Sequence, residues 1–304
     1  MSPAPPRPPA PRGPRCAAAA VLRGDPLPGT APPVAGWLLV EQPGPWGRDA
    51  VTSSRLDPAV GAALLERARA AGVRVLLVRR PGRSPLARYR RWARVDSRPA
   101  HESVRWGRFA DDRELLDLPG DAAAGTPSGD PLYLVCAHAR HDPCCATQGR
   151  PVAAALAEAH PALTWECSHL GGCRFAANLL VLPHGLYYGH ASPGRALAAV
   201  AAHRDGLLVP EDLRGRSALP APVQAAQHHA RLRLRAAGTP ADGVDDLAPL
   251  RVAPAGERTW RVSLAGPAGE VALVVRDEPA AAPAPLTCAA RTAAAPRRWV
   301  LVDA

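Results

Sequence analysis

Residues 131–173 read PLYLVCAHARHDPCCATQGRPVAAALAEAHPALTWECSHLGGC, and this stretch indicates both a fold class and a chemistry. PLYLVCAH is rich in the apolar residues of a buried strand, and ALTWECSH forms a second strand of the same kind. Between them, GRPVAAALAEAH has the composition and length of a helix. A strand, a helix and a strand in this order are typical of an α/β protein with parallel strand pairing.

The residues that follow extend this unit. After the turn at Gly171 and Gly172, ANLLVLPHG and LYYGH are predicted to pair as a hairpin, and a helix over about 193–203 follows. Strand, helix, strand, strand, helix is the order of the later half of a thioredoxin-like fold. We therefore predict a thioredoxin-like domain over residues 130–215.

A second α/β segment is predicted upstream, over residues 16–119. GWLLVEQ is strand-like, Pro58–Gly72 has helical periodicity, and VRVLLVRR is a buried strand after the glycine stop. Residues 82–106 are rich in arginine and are predicted to be irregular. Residues 120–130 (GDAAAGTPSGD) are predicted to be a flexible connector, and residues 1–15 a disordered Pro/Arg tail.

Residues 217–304 change in character and are predicted to form a small C-terminal domain. PVQAAQHHARLRLRAAG has the pattern of an amphipathic helix that ends at its glycine. Four short alternating stretches follow, APLRVAP, TWRVSLAG, EVALVVRD and RRWVLVDA, which indicate an antiparallel sheet. The fold class is therefore α/β, a thioredoxin-like domain with a preceding α/β segment and a small C-terminal helix-plus-antiparallel-sheet domain.

The bulk composition limits the class of protein. No apolar run reaches the ~18 residues of a membrane span, and the proline-broken N-terminus is a poor signal peptide. Seven cysteines, an odd number in 304 residues, argue against a disulfide scaffold. We predict a cytoplasmic protein with no membrane association.

The formal net charge of +10 comes entirely from arginine, since the chain has no lysine. Such a charge favours an acidic partner, for example an acidic ferredoxin reductase or another flavoprotein. Nucleic acid is not a predicted partner, because the arginines are spread through every segment and no RNA-binding or zinc-finger signature is present. A solvated basic surface is the simpler reading.

Thiols and imidazoles are concentrated between Cys136 and Cys173. Five of the seven cysteines lie there, together with His138, His141 and His169. Thiolate and imidazole are the soft ligands that hold zinc or the iron of an iron–sulfur cluster. This concentration predicts a metal site.

Four of these residues are candidate ligands: Cys136, Cys145, His169 and Cys173. Each lies at a predicted strand end or in the loop beyond it, where side chains converge without burying backbone polar groups. Cys145 is predicted to follow a loop closed by Asp142 and Pro143. Two ligand pairs from separate segments would suit a two-iron cluster, with one pair for each iron.

Two motifs around these ligands resemble the sucrase/ferredoxin-like family, whose members are thioredoxin-like ferredoxins. CAHARHDPCC is similar to C-[ST]-H-G-x-x-D-x-x-C, and SHLGGCRFAANLLVLPHGLYYG to S-H-x-G-G-H-x-[FY]-A-x-N followed by P-x-G-x-x-Y-G. The resemblance covers about residues 16–215. It implies a [2Fe–2S] cluster held by two cysteines and two histidines, here Cys136, Cys145 and His169, and a role in electron transfer.

Position 173 departs from the family pattern, because this chain has cysteine where the pattern has the second histidine. Either the cluster has three cysteine ligands and one histidine, or Cys144 or Cys167 serves in place of Cys173. Neutral imidazoles raise a cluster's reduction potential relative to thiolates. A single imidazole predicts a potential between those of plant-type ferredoxins and Rieske centres.

Two other classes of function stay open from the residues alone. A site with three cysteines and one histidine also suits structural zinc, which would make the chain a zinc-stabilised structural or interaction module. A thiol–disulfide redox enzyme using Cys144 or Cys145 is the other, although such chemistry usually relies on C-x-x-C, which is absent. An electron carrier rather than an enzyme is favoured. Sucrase activity is not supported, because the sequence nominates no pair of catalytic carboxylates.

The remaining residues near the site receive simpler assignments. His138 and His141 are either hydrogen-bond donors to cluster sulfur or surface histidines of the loop. Cys16 and Cys288 are interpreted as small buried hydrophobes. Three arginines that flank the site could dock an acidic reductase or merely be solvated: Arg140, Arg150 and Arg174.

Overall fold

The protein, described as a computed structural model over residues 13–82, 87–118 and 124–302, is a mixed α/β structure with two sheets. The helices are α1 (Cys16–Arg23), α2 (Pro58–Ala70), α3 (Pro143–Ala159), α4 (Pro193–Arg204) and α5 (Ala221–Ala236). Short 3-10 turns lie at Asp112–Leu116, Cys173–Phe175 and Pro210–Asp212. The α/β class predicted from the sequence is confirmed.

The larger sheet has ten strands within the described residues. They are β1 (Gly36–Glu41), β2 (Val73–Arg79), β3 (Arg90–Asp96), β4 (Ser103–Phe109), β5 (Thr126–Ser128), β6 (Leu132–Cys136), β7 (Thr164–Cys167), β8 (Leu179–Leu182), β9 (Leu186–Tyr188) and β10 (Leu213–Arg216). Their order across the sheet is β10-β9-β8-β6-β7-β2-β1-β3-β4-β5. Strand β7 pairs antiparallel with β2, so one sheet continues through both predicted α/β segments.

The strand–helix–strand unit predicted over residues 131–169 is confirmed. Strands β6 and β7 are parallel and place Cys136 opposite Cys167. The hairpin of β8 and β9 and the helix α4 follow in the predicted order. This arrangement brings the ends of β6 and β7 to the same edge of the sheet, where the candidate ligands begin.

Helix α3 starts six residues earlier than the sequence pattern predicted. The carboxylate of Asp142 caps it by accepting the backbone N–H of Cys144 at 2.9 Å, and Pro143 occupies the first turn. Both are strong helix-start signals. The helix continues past Pro151, which lacks only one hydrogen-bond donor. Cys145 therefore does follow a loop closed by Asp142 and Pro143, but it lies on the first turn of the helix and not ahead of it.

The arginine-rich residues 82–106 contain two strands, so the prediction of an irregular segment was wrong. Strands β3 and β4 pair antiparallel, and β3 also pairs with β1. The pattern is hidden because arginines stand among the aromatic and aliphatic residues of these strands. One of them, Arg90, is buried and pairs with the carboxylate of Asp112.

The predicted connector over residues 120–130 and the predicted tail over residues 1–15 fall partly outside the described residues. The described part of the connector includes β5, which pairs with β4, so it is not wholly a linker. The described end of the tail, residues 13–15, leads directly into α1.

The C-terminal region has the predicted helix and antiparallel sheet. Strands β11 (Pro249–Gly256), β12 (Thr259–Gly266), β13 (Gly269–Pro279) and β14 (Arg297–Leu301) lie in sequence order. Apolar residues of α5 pack on β12 and β13 to form a core, for example Val223 and Ala226 against Val262. The chain between β13 and β14 carries Cys288, which contacts the larger sheet's core.

No helix in the described ranges combines the length and the apolar character that a membrane crossing requires. The cytoplasmic location and the domain boundaries stay predictions of the sequence.

Candidate metal centre

Three of the four predicted ligands meet at the edge of the larger sheet. Cys136 ends β6, Cys145 lies on the first turn of α3, and His169 follows β7 by two residues. Their ligand atoms all lie within 4.8 Å of one another. Both thiols are about 1% exposed, whereas the imidazole is half-buried. The two thiols of the site thus lie in the core, and the imidazole lies on the side nearer to solvent.

The fourth predicted ligand, Cys173, belongs to an overlapping group. It begins the 3-10 turn after Gly171 and Gly172, and its Sγ lies 3.5 Å from Nδ1 of His169. Cys173, His169 and His141 have ligand atoms within 4.8 Å of one another. The four predicted ligands and His141 therefore form two compact triples that share His169.

His141 is a fifth donor that sequence reasoning did not place in the ligand set. Its ring stacks on that of His169, with the centroids 3.7 Å apart. It comes from the turn before α3, in the middle of the eight residues that separate Cys136 from Cys145. Because that turn had no regular pattern, its direction could not be read from the sequence.

Charge is distributed unevenly among these groups. Hydrogen bonding from Cys145 is the main cause that lowers the pKa of Cys173 to about 3, helped by His141 and His169. The pKa of Cys136 is also lowered, chiefly by a hydrogen bond from Cys145 and further by His169. The pKa of Cys145 is raised in turn, because it is the shared donor to two thiolates. The site thus favours thiolates, the form that binds metals.

His169 carries the compensating positive charge. Burial lowers its pKa, but hydrogen bonds to Cys136 and Cys173 outweigh burial and raise the pKa to about 9. Binding of a soft metal ion would require release of that proton, because a histidine ligand must be neutral. The donor set, buried thiolates with an imidazole facing the surface, fits an iron–sulfur cluster or zinc.

The turn that carries Cys173 is held by a buried arginine. Arg214 is 2% exposed and donates to the carbonyl of Gly171 at 3.1 Å and to Oδ1 of Asn178 at 2.7 Å. Asn178 in turn donates from Nδ2 to the carbonyl of Gly172 at 3.0 Å. Gly172 has φ +73°, and a side chain there would collide with the guanidinium of Arg214. This network fixes the position of Cys173.

A second arginine holds the turn from the other side. Arg74 on β2 donates to the carbonyl of His169 at 2.6 Å and to that of Leu170 at 3.1 Å. The ligand-bearing segment 169–173 is therefore tied by hydrogen bonds to β2 and to β10.

His138 and Cys167, two further candidates from the sequence, lie outside both triples. His138 is buried, donates from Nε2 to the carbonyl of Gly47 at 2.6 Å, and offers its backbone N–H to the sulfur of Cys136. Its backbone therefore contacts a candidate ligand while its imidazole bonds to Gly47, and the predicted role as a donor to cluster sulfur stays a prediction. Cys167, a reserve ligand, is fully buried and belongs to no metal-binding group among the described residues.

The other reserve ligand, Cys144, belongs to a different group. Its Sγ lies 3.6 Å from that of Cys16 and 3.5 Å from that of Cys288, with Asp142 beside all three. Sequence reasoning treated Cys16 and Cys288 as isolated hydrophobes. No local pattern could reveal this group, because its three cysteines are separated from one another by more than 120 residues along the chain.

The three arginines that flank the site differ in their exposure to solvent. Arg140 and Arg150 are exposed, but Arg174 is half-buried, lies over the ring of Phe175 and pairs with Asp25 at 3.4 Å. Arg140 directly precedes His141, on the surface side of the site.

Comparison with known proteins agrees with the motifs. The model of the family described as sucrase/ferredoxin-like matches residues 27–215, which is more than half of the chain and includes all five donors. Neither a curated protein nor a solved structure matches the chain.

Proposed function

The chain belongs to the sucrase/ferredoxin-like family, and we propose that it is an electron-transfer protein that holds one [2Fe–2S] cluster on Cys136, Cys145, His169 and Cys173. When bound, such a cluster supplies reversible one-electron transfer. The residues of the chain hold the group, exclude water from it and connect it to the surface.

The spatial distribution of the five donors favours a two-iron group over a single zinc ion. A single tetrahedral zinc ion needs four ligand atoms in one compact set. Among the described residues, the five donors instead form two compact triples that share His169. Donors spread over two such sets suit a group with two metal ions better than one ion.

The surroundings of the site support a redox role. The three thiols lie in an apolar core that also includes Leu134 and Leu170. On the opposite side, the stacked rings of His141 and His169 are only half-buried, so the imidazoles lie between the thiols and solvent. A site that is buried except on its imidazole side permits electron exchange with a partner docked at that side, while the core stays closed to water.

The partner is proposed to be acidic, such as a ferredoxin reductase or another flavoprotein. Arg140 is exposed beside His141, and the chain as a whole carries a formal charge of +10. Electrostatic steering of this kind acts mainly on the association rate and weakens as salt is added.

The colour of the purified protein tests the cluster directly. We expect a red-brown protein with about two iron and two sulfide ions per chain, whose visible absorption is bleached by dithionite and whose reduced form gives an EPR signal. These features come from an iron–sulfur cluster and from no zinc site. A colourless protein with stoichiometric zinc at this site would contradict the proposal.

Replacing Cys173 by histidine tests the departure from the family pattern. We expect Cys173→His to keep the cluster and raise its midpoint potential by about 100 mV or more, because a neutral imidazole replaces a thiolate. Protein-film voltammetry or an EPR-monitored redox titration measures this shift.

The comparison variants are Cys173→Ala and His141→Ala. If Cys173 is the fourth ligand, Cys173→Ala loses iron and His141→Ala keeps it. An unchanged potential in Cys173→His, or iron lost on replacing His141 and not Cys173, would assign the fourth position to His141 instead.

A further inference from the structure

Three cysteine sulfurs outside the first site form a triangle with nearly equal sides. The Sγ–Sγ distances are 3.6 Å between Cys16 and Cys144, 3.5 Å between Cys144 and Cys288, and 3.5 Å between Cys288 and Cys16. Two thiolates on one tetrahedral zinc ion, with Zn–S bonds of about 2.3 Å, lie about 3.8 Å apart. The triangle already has the size that a zinc ion requires.

Asp142 supplies a fourth donor to the same centre. Its Oδ2 lies 3.5 Å from the sulfur of Cys16 and accepts the backbone N–H of Cys288 at 2.9 Å. The four ligand atoms all lie within 4.8 Å of one another. A carboxylate oxygen has a second lone pair, so it can accept a hydrogen bond and coordinate a metal ion together.

The carboxylate of Asp142 is also deeply buried. Its exposed fraction is 0%, and no salt bridge of the described residues includes it. The free energy cost of a buried charge is large unless a counter-charge or a metal ion accompanies it. A divalent cation at the centre of the sulfur triangle would provide that charge.

We propose that Cys16, Cys144, Cys288 and Asp142 form a second metal site, which binds a structural Zn²⁺ ion. Three thiolates and one carboxylate give a closed tetrahedral set, which is typical of a structural rather than a catalytic zinc site. Cys16 is the first residue of α1 and Cys144 lies in the first turn of α3. These two ligands therefore come from the amino ends of two different helices.

A disulfide is the competing fate of these thiols. It would need two sulfurs about 2.05 Å apart and would leave the third sulfur unpaired, whereas all three cysteines are free in the structure. The nearly equal sides of the triangle select no pair for bonding. The geometry therefore favours one shared ion over one bond.

The proposed ion would join three distant parts of the chain. It links α1 near the start, the amino end of α3, and the loop between β13 and β14 that carries Cys288. The partners of Cys144 are 128 and 144 residues away in sequence. Zinc binding would thus fasten the C-terminal region to the helix that also carries Cys145, the candidate ligand of the first site.

Metal analysis of the full-length protein and three variants tests this proposal. The protein is produced with both iron and zinc in the medium, and each metal is measured by mass spectrometry. We expect about one zinc per chain, lost by about tenfold or more in Cys16→Ala and in Cys288→Ala. Iron content is expected to stay the same in both, because neither residue lies in the first site.

The matched control is Cys167→Ala, which removes a buried cysteine that belongs to neither group. It is expected to keep both metals. Zinc that is absent from the wild-type protein, or present but unchanged in both Cys16→Ala and Cys288→Ala, would overturn the proposal. So would an alkylation and mass measurement that finds a disulfide among the three cysteines.

A measurement on the wild-type chain keeps the test valid if a variant fails to fold. Zinc is exchanged for Co²⁺, and the absorption spectrum is recorded after subtraction of any iron–sulfur bands. Tetrahedral d–d bands with thiolate-to-cobalt charge transfer from three sulfurs are expected. A spectrum of octahedral Co²⁺ without thiolate bands would contradict the site.

Discussion

Iron is expected to be lost from the Cys145→Ala variant and kept in the Cys144→Ala variant, although the two residues are adjacent. Zinc is expected to show the reverse pattern. The reason is that the first turn of α3 sends the two side chains in different directions. Cys145 joins Cys136 and His169, whereas Cys144 joins Cys16 and Cys288.

Each variant serves as the control for the other in this experiment. Both remove one buried thiol from the same helical turn, so any general effect on α3 is shared. Iron and zinc per chain are measured together, and unfolding is followed by circular dichroism. Each metal is expected to fall about tenfold or more in one variant only. Loss of both metals in both variants, or of the same metal in both, would contradict the assignment of these cysteines to separate sites.

Asp142 explains how one turn can serve two sites. Its Oδ1 caps α3 through the N–H of Cys144, which fixes where the helix starts and so the direction of both cysteines. Its Oδ2 accepts the N–H of Cys288 and faces the sulfur of Cys16. The family pattern has an aspartate in this position, and this chain uses its two oxygens for different purposes.

The parts of the fold that the sequence predicted are those with strong local patterns. The strand around Leu134 is a continuous apolar run. The glycine stops and the alternating stretches of the C-terminal region are patterns of equally short range. The closeness of two candidate ligands, Cys136 and His169, followed from the same logic, because the ends of neighbouring parallel strands meet at one edge of a sheet. The grouping of Cys136, Cys145 and His169 as ligands of one cluster was implied by the resemblance of two motifs to the sucrase/ferredoxin-like family.

The parts that could not be predicted depend on contacts distant in sequence. Strands β3 and β4 were missed because their arginines obscure the usual alternation. The burial of one of them, Arg90, is compensated by its ion pair with Asp112, a partner 22 residues away in sequence. The group of Cys16, Cys144 and Cys288 was missed because three separate segments must meet before it exists. The start of helix α3 was predicted too late because Asp142 and Pro143 were interpreted as the end of a loop, whereas they cap the helix.

Close packing between α3 and β6 is a further condition for the first site. Gly149 lies one helical turn beyond Cys145, at the point where α3 crosses the end of β6. A Cβ atom at Gly149 would lie 2.1 Å from the carbonyl oxygen of Cys136 and 3.2 Å from its carbonyl carbon. Both atoms are backbone, so they cannot move aside as a flexible side chain can.

Gly149→Ala is therefore expected to destabilise the protein by about 1–3 kcal/mol, the usual cost of overpacking a well-packed core. The helix must shift away from the strand, and since Cys145 and Cys136 lie on opposite sides of that contact, iron content is expected to fall as well. The free energy of unfolding is measured by urea denaturation, and the iron content by metal analysis.

The matched control is Gly194→Ala, the same substitution at a glycine in the first turn of α4. A Cβ atom there would meet nothing within 4 Å, so the higher helix propensity of alanine should act alone and change stability by less than about 1 kcal/mol, in the favourable direction. If Gly149→Ala matches Gly194→Ala in stability and iron content, the close contact between α3 and Cys136 does not hold the site. If Gly149→Ala unfolds more easily and loses iron while Gly194→Ala does neither, the absence of a side chain at position 149 is what lets the thiols of Cys136 and Cys145 approach each other.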